Sequence, residues 1–135
     1  MINLSEFNDL VSRNGRGDKN NTYVRIGDNE CKLTLGETST KEVKQYLGTQ
    51  LNVKVSRDLG ILVLMRGNDR RLGTNRDISL VSLRQAFRDK FGEAIKLVYF
   101  DASWDEDEHG TKVYVLRWNG KKEYAADMTV HKVRG

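Results

Sequence analysis

Short apolar runs, in a chain without any proline, are the feature that most constrains the fold. The longest, residues 61–65, is apolar at five consecutive positions, and residues 97–100 and 113–116 are also apolar throughout. Runs of this length are typical of strands, and they are far shorter than the ~20 residues of a membrane-spanning helix. Because such strands are apolar on both faces, they predict a sheet that is covered on both sides, in part by a second subunit of a homodimer.

A helix followed by two strands is predicted twice, at an offset of 44 residues. In the first unit, residues 37–68, Ser39 and Glu42 match a capping box that opens a helix. In the second unit, residues 77–120, Ser79 opens the corresponding helix. Matching apolar positions indicate two similar helix–hairpin units and a candidate tandem repeat. A glycine in the left-handed position is predicted to end each helix, and these two residues are Gly48 and Gly92.

These elements predict an α+β fold: a single domain with a mostly antiparallel sheet and two to three short helices. Residues 1–21 are predicted to form an N-terminal helix and a flexible loop, and residues 22–135 form the α+β domain. That domain begins with a hairpin over residues 22–36 and ends with a C-terminal meander. In the meander, Asn119-Gly120 matches a two-residue hairpin turn, and residues 128–133 match a last strand.

The charge of the chain is uneven, and this bears on its partners. The formal net charge is +4 and the isoelectric point is about 9.2. Five acidic residues, −5 in total, lie within residues 101–108, so the rest of the chain carries +9. A basic body with one acidic segment favours a polyanion as partner, either nucleic acid (DNA or RNA) or a protein bound to nucleic acid.

Several other classes of protein are excluded by the sequence. The lone Cys31 excludes an internal disulfide framework and a cysteine-based zinc site, and the N-terminus lacks the basic and apolar stretches of a secretory signal. We therefore expect a cytoplasmic protein that does not bind a membrane. The P-loop, the dinucleotide fingerprint, the nucleophile elbow and the His-Glu-x-x-His motif are all missing from the sequence. The sequence thus predicts no catalytic residue, no cofactor and no metal.

The strongest candidate for a binding site is the arginine loop, residues 66–76, which contains four arginines and two glycines. Guanidinium groups on such a loop suit bidentate contacts with phosphates. Arg84 and Arg88, on the following helix, are predicted to extend its positive surface. A second basic set surrounds Asn119-Gly120 and supplies a tryptophan on which a base can stack. The candidate nucleic-acid-binding residues are therefore Arg66, Arg70, Arg71, Arg76, Arg84, Arg88, Arg117, Trp118, Lys121 and Lys122.

Simpler interpretations of both basic sets stay open. The arginine loop can be a solvated connector whose arginines pair with Asp69, Asp77 and Asp89. Trp118 can cover the edge of the core, while the neighbouring lysines keep a hairpin edge from aggregating.

The acidic segment, residues 101–110, admits three interpretations. As an EF-hand-type calcium loop it fails, because position 12 would be Leu116 instead of a bidentate glutamate. It fits a solvated hairpin tip, since like charges in a row repel and stay exposed. It also fits an acidic arm, anchored by Trp104, that docks on a basic protein or competes for the chain's own arginines. The candidate protein-interaction residues are Trp104, Asp105, Glu106, Asp107 and Glu108.

The function predicted from the sequence is that of a non-enzymatic basic protein that binds nucleic acid through an arginine-rich loop. The first alternative is a small phage-type protein-interaction module or inhibitor that acts on a nucleic-acid-processing enzyme. The second alternative is a metal-dependent nuclease. Carboxylates on a single loop support it poorly, because a two-metal site needs ligands that converge from several elements.

Overall fold

A single antiparallel sheet that curls into a nearly closed barrel dominates the structure, a computed structural model that describes residues 20–125. The elements are β1 Thr22–Ile26, β2 Cys31–Thr34, α1 Glu37–Tyr46, β3 Gln50–Val55, β4 Ile61–Arg66, β5 Arg70–Arg71, β6 Asp77–Ser79, α2 Arg84–Phe91, β7 Ile95–Glu106 and β8 Lys112–Tyr124. A 3-10 turn, Val81–Leu83, directly precedes α2. Across the sheet the strands lie in the order β5-β3-β4-β8-β7-β1-β2-β6, and β5 contacts β6, so the two outermost strands meet.

The predicted α+β class is wrong. Strands make up 48% and helices 21% of the described residues, and the sheet closes on itself instead of carrying a layer of helices. The predicted start of the second helix at Ser79 is also wrong. Ser79 ends β6, where Ile78 pairs with Leu33 of β2, and α2 begins only at Arg84. The sequence pattern missed both β5 and β6 because two or three residues are too few to show an alternation.

Along each strand, alternate side chains point into the barrel and fill its interior. Leu62 and Leu64 of β4 point inward, and Leu64 lies opposite Tyr114 of β8 in the register. Ile61 points outward and stays 37% exposed, although the run it belongs to is apolar on both faces. Burying one leucine side chain contributes roughly 1.5–3 kcal/mol, so a core of this kind can hold the sheet closed. The largest fully buried side chains are Leu33, Leu35, Leu51, Leu62, Leu64, Ile78, Leu80, Phe87 and Leu116.

The capping box predicted at the start of α1 is wrong. The N-cap is Gly36, which makes no side-chain cap, and the helix begins at Glu37. Ser39 and Glu42 therefore lie inside the helix, where their side chains are free to reach other elements. Ser39 shares a hydrogen bond with the Tyr114 hydroxyl, so this serine joins α1 to β8.

The hairpin turn predicted at Asn119-Gly120 is also wrong, because both residues lie inside β8. Trp118 pairs with Phe100 and Lys122 pairs with Val98. Between these two pairs β8 advances by four residues and β7 by two, so β8 contains two extra residues. Among the non-glycine residues between 20 and 125, positive φ occurs at Leu59 and Arg76 only. Asn119 therefore lacks the positive φ that this turn requires, although Gly120 has φ +91°. The dipeptide forms a β-bulge, for which a left-handed glycine is equally well suited.

The remaining predictions concern the first hairpin, the candidate repeat and the two terminal elements. The hairpin over residues 22–36 is confirmed, since β1 and β2 pair from Ile26 and Cys31 outward. Each α-helix precedes a pair of strands, but whether the two units are a duplication stays a prediction. The N-terminal helix and residues 128–133 lie outside the described residues. Neither α1 nor α2 is long and apolar enough to cross a membrane.

Leu64→Ala is expected to lower the free energy of unfolding by about 2–5 kcal/mol, because it removes buried atoms and leaves a cavity at the centre of the sheet. Val55→Ala on β3 is the matched control, since its side chain is 38% exposed, and a loss below about 1 kcal/mol is expected. Urea denaturation followed by circular dichroism measures both. Equal losses in the two variants would contradict the inward placement of Leu64.

The Cys31 thiol is predicted not to react with Ellman's reagent near neutral pH unless the protein unfolds. Burial raises its pKa to about 12, although Arg84 acts in the opposite direction. The thiolate that the reagent needs is therefore almost absent in the folded state. Since this is the only cysteine, the colour change reports on one site. Rapid reaction without denaturant would contradict the burial.

The same pKa makes stability depend on pH in the alkaline range. In the unfolded state the thiol ionises near its ordinary pKa of 9.0, whereas in the folded state it stays protonated up to about 12. The unfolded state therefore loses its proton first, and the free energy of unfolding falls as pH rises through this window. Cys31→Val, which has no ionisable group, serves as the control and is expected to lack this part of the alkaline loss.

Candidate functional site

The arginine loop, residues 66–76, forms the seam of the barrel. Its β5 strand pairs with β3, and the Gly73 N–H donates to the Asp77 carbonyl at 2.9 Å on the β6 side. The Asn52 side chain fixes the first turn by accepting backbone N–H groups from Asn68 at 3.0 Å and from Asp69 at 3.1 Å. The loop is thus tied to both neighbouring strands, and its arginines project from an ordered segment.

Arg66 and Arg70 of this loop bind other elements of the barrel. Arg66 donates from Nη2 to the Tyr46 carbonyl at 3.1 Å, at the end of α1. Arg70 reaches a serine hydroxyl in the 3-10 turn at 3.4 Å. Arg71 is exposed, whereas Arg76 is half-buried and has a left-handed φ of 65°. Arg71 is therefore exposed and, unlike Arg66 and Arg70, does not bind another element of the described chain through its guanidinium group.

Arg84 and Arg88 form hydrogen bonds to the turn between β1 and β2. Both donate to the Gly27 carbonyl, at 2.9 Å from Arg84 Nε and 3.3 Å from Arg88 Nη2. The Arg88 side chain is only 17% exposed and also lies 3.8 Å from a Glu93 carboxylate oxygen. Its head is therefore largely buried. Arg70 of the arginine loop bonds the 3-10 turn that directly precedes Arg84, so the loop lies next to the start of α2. That Arg84 and Arg88 extend its positive surface stays a prediction.

A lysine–tryptophan cluster, Lys90, Trp118, Lys121 and Lys122, lies where α2 packs against β8. The Trp118 ring meets the Phe91 ring edge-on, with centroids 5.1 Å apart. The ammonium groups of Lys90 and Lys122 lie 5.5 Å and 5.6 Å from the centre of the indole ring. The indole N–H donates to the Lys121 carbonyl at 3.0 Å, so the ring is fixed in place.

The bulge at Asn119-Gly120 shapes this cluster. The Asn119 side-chain oxygen accepts the Lys121 N–H at 2.9 Å, which holds the extra residues of β8 in place. Lys121 and Lys122 then line an open groove of about 670 Å³, whose other residues include Tyr99 and Tyr124. The bulge therefore puts two exposed lysines next to aromatic side chains.

Two residues near the cluster differ from the sequence-based expectation. Arg117 donates to the Ser103 hydroxyl at 3.3 Å and, as the residue before Trp118 in β8, belongs to the other face of the sheet. Lys90 was not predicted, because the contact that brings it to Trp118 crosses from α2 to β8. The Lys90–Phe91 pair beside an apolar helix face was its sole signal in the sequence.

Trp104, the predicted anchor of an acidic arm, is part of an aromatic cluster on the α1 side of the barrel. Its ring centre lies 4.5 Å from that of Tyr114 and 5.5 Å from that of Tyr46, which is 44% exposed. The indole N–H donates to a Glu42 carboxylate oxygen at 2.7 Å, and the Lys112 ammonium lies 5.0 Å from the ring centre. Trp104 is therefore half-buried and fixed by its own chain.

The acidic residues that follow Trp104 divide between strand and turn. Asp105 and Glu106 are exposed residues of β7, so the predicted loop begins later than expected. Asp107 accepts backbone N–H groups from Thr111 and His109, and these bonds lower the pKa of its carboxyl. Glu108 is exposed at the tip. Within residues 20–125, no three His, Cys, Asp or Glu side chains form a group that could hold a metal ion.

Gly120→Ala is expected to lower the free energy of unfolding by about 1 kcal/mol, because its left-handed backbone disfavours a Cβ atom. No atom lies within 4 Å of that Cβ position, so backbone strain alone is measured. Gly120→Asn should cost less, since asparagine tolerates this conformation. Chemical denaturation of both variants, with Gly73→Ala as a control, checks this; a fully tolerated alanine at 120 would argue against the bulge geometry.

Comparison of the chain with protein-family models, with curated proteins and with solved structures gives no match.

Proposed function

We propose that this protein binds single-stranded nucleic acid through the lysine–tryptophan cluster. The observation that carries the proposal is the position of two ammonium groups, Lys90 and Lys122, within 5.6 Å of the centre of the Trp118 ring. Cations beside an aromatic face are the combination with which proteins hold a nucleic-acid strand without reading its sequence.

Each part of the cluster has a distinct task in this proposal. The lysine ammonium groups neutralise phosphates, and the counterions that they release favour binding at low salt. The indole ring provides a surface on which an unpaired base stacks, which contributes about 1–3 kcal/mol per base. Because Phe91 and the Lys121 carbonyl already hold the ring, little side-chain entropy is lost when the base arrives.

The cluster suits this task better than the arginine loop. Arg66, Arg84 and Arg88 already donate to backbone carbonyls, as Lys90 of the cluster does to the Asp58 carbonyl, so a phosphate would have to compete with those bonds. The exposed ammonium groups of Lys121 and Lys122 lie beside an open groove instead. Arg71, exposed on β5, stays a candidate for an additional phosphate contact.

Single strands are favoured over duplexes because stacking requires an accessible base face. In a duplex the faces of the bases are covered by their neighbours, and only phosphates and groove edges remain available. The cluster supplies lysines and one ring, which suits an unpaired base. The chemistry of the cluster does not distinguish DNA from RNA.

The decisive experiment compares two double variants that each remove two positive charges. Lys90→Gln with Lys122→Gln disrupts the cluster, whereas Lys41→Gln with Lys44→Gln changes exposed lysines of α1. Fluorescence anisotropy with labelled oligo-dT and oligo-U of about a dozen nucleotides measures the dissociation constant. We expect the cluster variant to bind at least about tenfold more weakly and the α1 variant to bind nearly as tightly as the unchanged protein.

The salt dependence of binding and a Trp118→Phe variant test the phosphate contacts and the stacking separately. If three lysines contact phosphates, the logarithm of the binding constant should fall with that of the salt concentration with a slope of about −2. Trp118→Phe keeps an apolar ring but weakens stacking, so the affinity should fall while the slope is unchanged. Equal losses in the two double variants, or binding that does not depend on salt, would refute the proposal.

A further inference from the structure

β7 extends beyond its partner β1, and this leaves part of one strand edge open. The pairing of β7 with β1 ends at Phe100, which lies opposite Thr22. The pairing with β8 continues to Glu106, which lies opposite Lys112. Residues 101–106 therefore have a partner strand on one side only within the described part of the chain. Alternate residues of an antiparallel strand direct their N–H and C=O groups to each side, so this edge offers unpaired groups to an added strand, except for the Glu106 N–H, which donates to the Asp105 carboxylate.

A cleft of about 450 Å³ lies beside this edge. Ser39 and Glu42 of α1 form one wall, and Trp104 and Tyr114 contribute aromatic surface. The hydrogen bond between Ser39 and Tyr114 and the bond from Trp104 to Glu42 fix these walls relative to each other. The cleft therefore has walls held by hydrogen bonds, and it runs along a strand edge.

The charged side chains that line the cleft are acidic, and the nearest cations, Lys112 beside the Trp104 ring and Arg117 on the Ser103 hydroxyl, lie outside its lining. Its lining includes the carboxylates of Glu42 and Asp101 and contains neither lysine nor arginine. Glu42 accepts the Trp104 indole N–H through one oxygen, and Asp101 accepts the Asn119 amide at 3.1 Å through one oxygen. Each of these bonds engages one of the two oxygens of its carboxylate. A carboxylate oxygen in such a setting suits the ammonium or guanidinium group of a partner.

We infer that this cleft binds an extended basic peptide, which adds as a strand to the open edge of β7. Main-chain hydrogen bonds to residues 101–106 supply affinity, and alternate side chains supply specificity, as in other cases of strand addition. The lysine or arginine side chains of the peptide meet Glu42 and Asp101, and their aliphatic stems lie on the Trp104 ring. The partner is therefore a segment rich in alternating basic residues.

This inference does not depend on the nucleic-acid proposal. The residues of the cleft and those of the lysine–tryptophan cluster differ in charge, and the two sites have no charged residue in common. Lys90→Gln with Lys122→Gln should leave peptide binding unchanged, so either proposal can fail alone.

The test uses the full chain and three synthetic peptides of about eight residues, enough to run along the open edge. The first alternates lysine and valine, the second alternates glutamate and valine, and the third is the lysine peptide with N-methylated amides on one edge. We expect the lysine peptide to bind, the glutamate peptide not to bind, and N-methylation to weaken binding about tenfold, because it removes main-chain donors. Amide chemical shifts should move most at residues 101–106.

Charge variants provide the matched control. Glu42→Gln with Asp101→Asn keeps an acceptor for Trp104 and for Asn119, and should weaken the lysine peptide about tenfold. Glu37→Gln with Asp69→Asn removes the same charge from exposed positions elsewhere and should change little. Equal affinity for the lysine and glutamate peptides, no effect of N-methylation, or shifts centred outside the cleft would each overturn the inference. Failure of the lysine peptide to bind at millimolar concentration would overturn it as well.

Discussion

The pairing of β7 with β8 is the interaction on which the rest of the structure depends. These two strands, 12 and 13 residues long, are the longest of the sheet, and they lie near its middle. Tyr114, near the start of β8, meets α1, whereas Tyr124, at its end, donates its hydroxyl to the Phe91 carbonyl of α2. One strand therefore positions both helices, and both proposed binding surfaces lie along this pair.

Arg66, Arg84 and Arg88 differ in role from the exposed lysines Lys121 and Lys122. Arg66, Arg84 and Arg88 direct guanidinium groups at backbone carbonyls, where a planar group with several donors can join two elements. Lys90 likewise donates to the Asp58 carbonyl, whereas Lys121 and Lys122 are exposed beside Trp118. Some arginines of the sequence are therefore already bound within the fold, and nucleic-acid binding by the arginine loop stays a prediction.

Sequence reasoning identified features that depend on a few neighbouring residues. The hairpin of β1 with β2 was predicted, and Gly48 and Gly92 have the positive φ expected of glycines that follow a helix. It failed where one local signal has two structural uses. Ser39 and Glu42 can cap a helix or reach another element, and Asn119-Gly120 can turn a hairpin or form a bulge. Strand pairing across the barrel decides between such uses. This pairing depends on residues that are far apart in the sequence, so a short segment does not predict it.

The same limit applies to the candidate site. Trp118, Lys121 and Lys122 were recognised because they are close in the sequence, but Lys90 reaches them only through the packing of α2 on β8. The open edge of β7 was invisible as well, because it arises from the difference in length between β7 and β1. Sites built from strand ends and long-range contacts require the fold.

The seam of the barrel has a consequence for the cost of closing it. β5 and β6 are the two strands farthest apart in the sheet order, yet they are consecutive in the chain and separated only by residues 72–76. The entropy lost in closing a loop grows with the length of the loop, so a link of five residues brings these two edges together at small cost. Closure of the whole eight-stranded sheet is thereby a local event along the polypeptide.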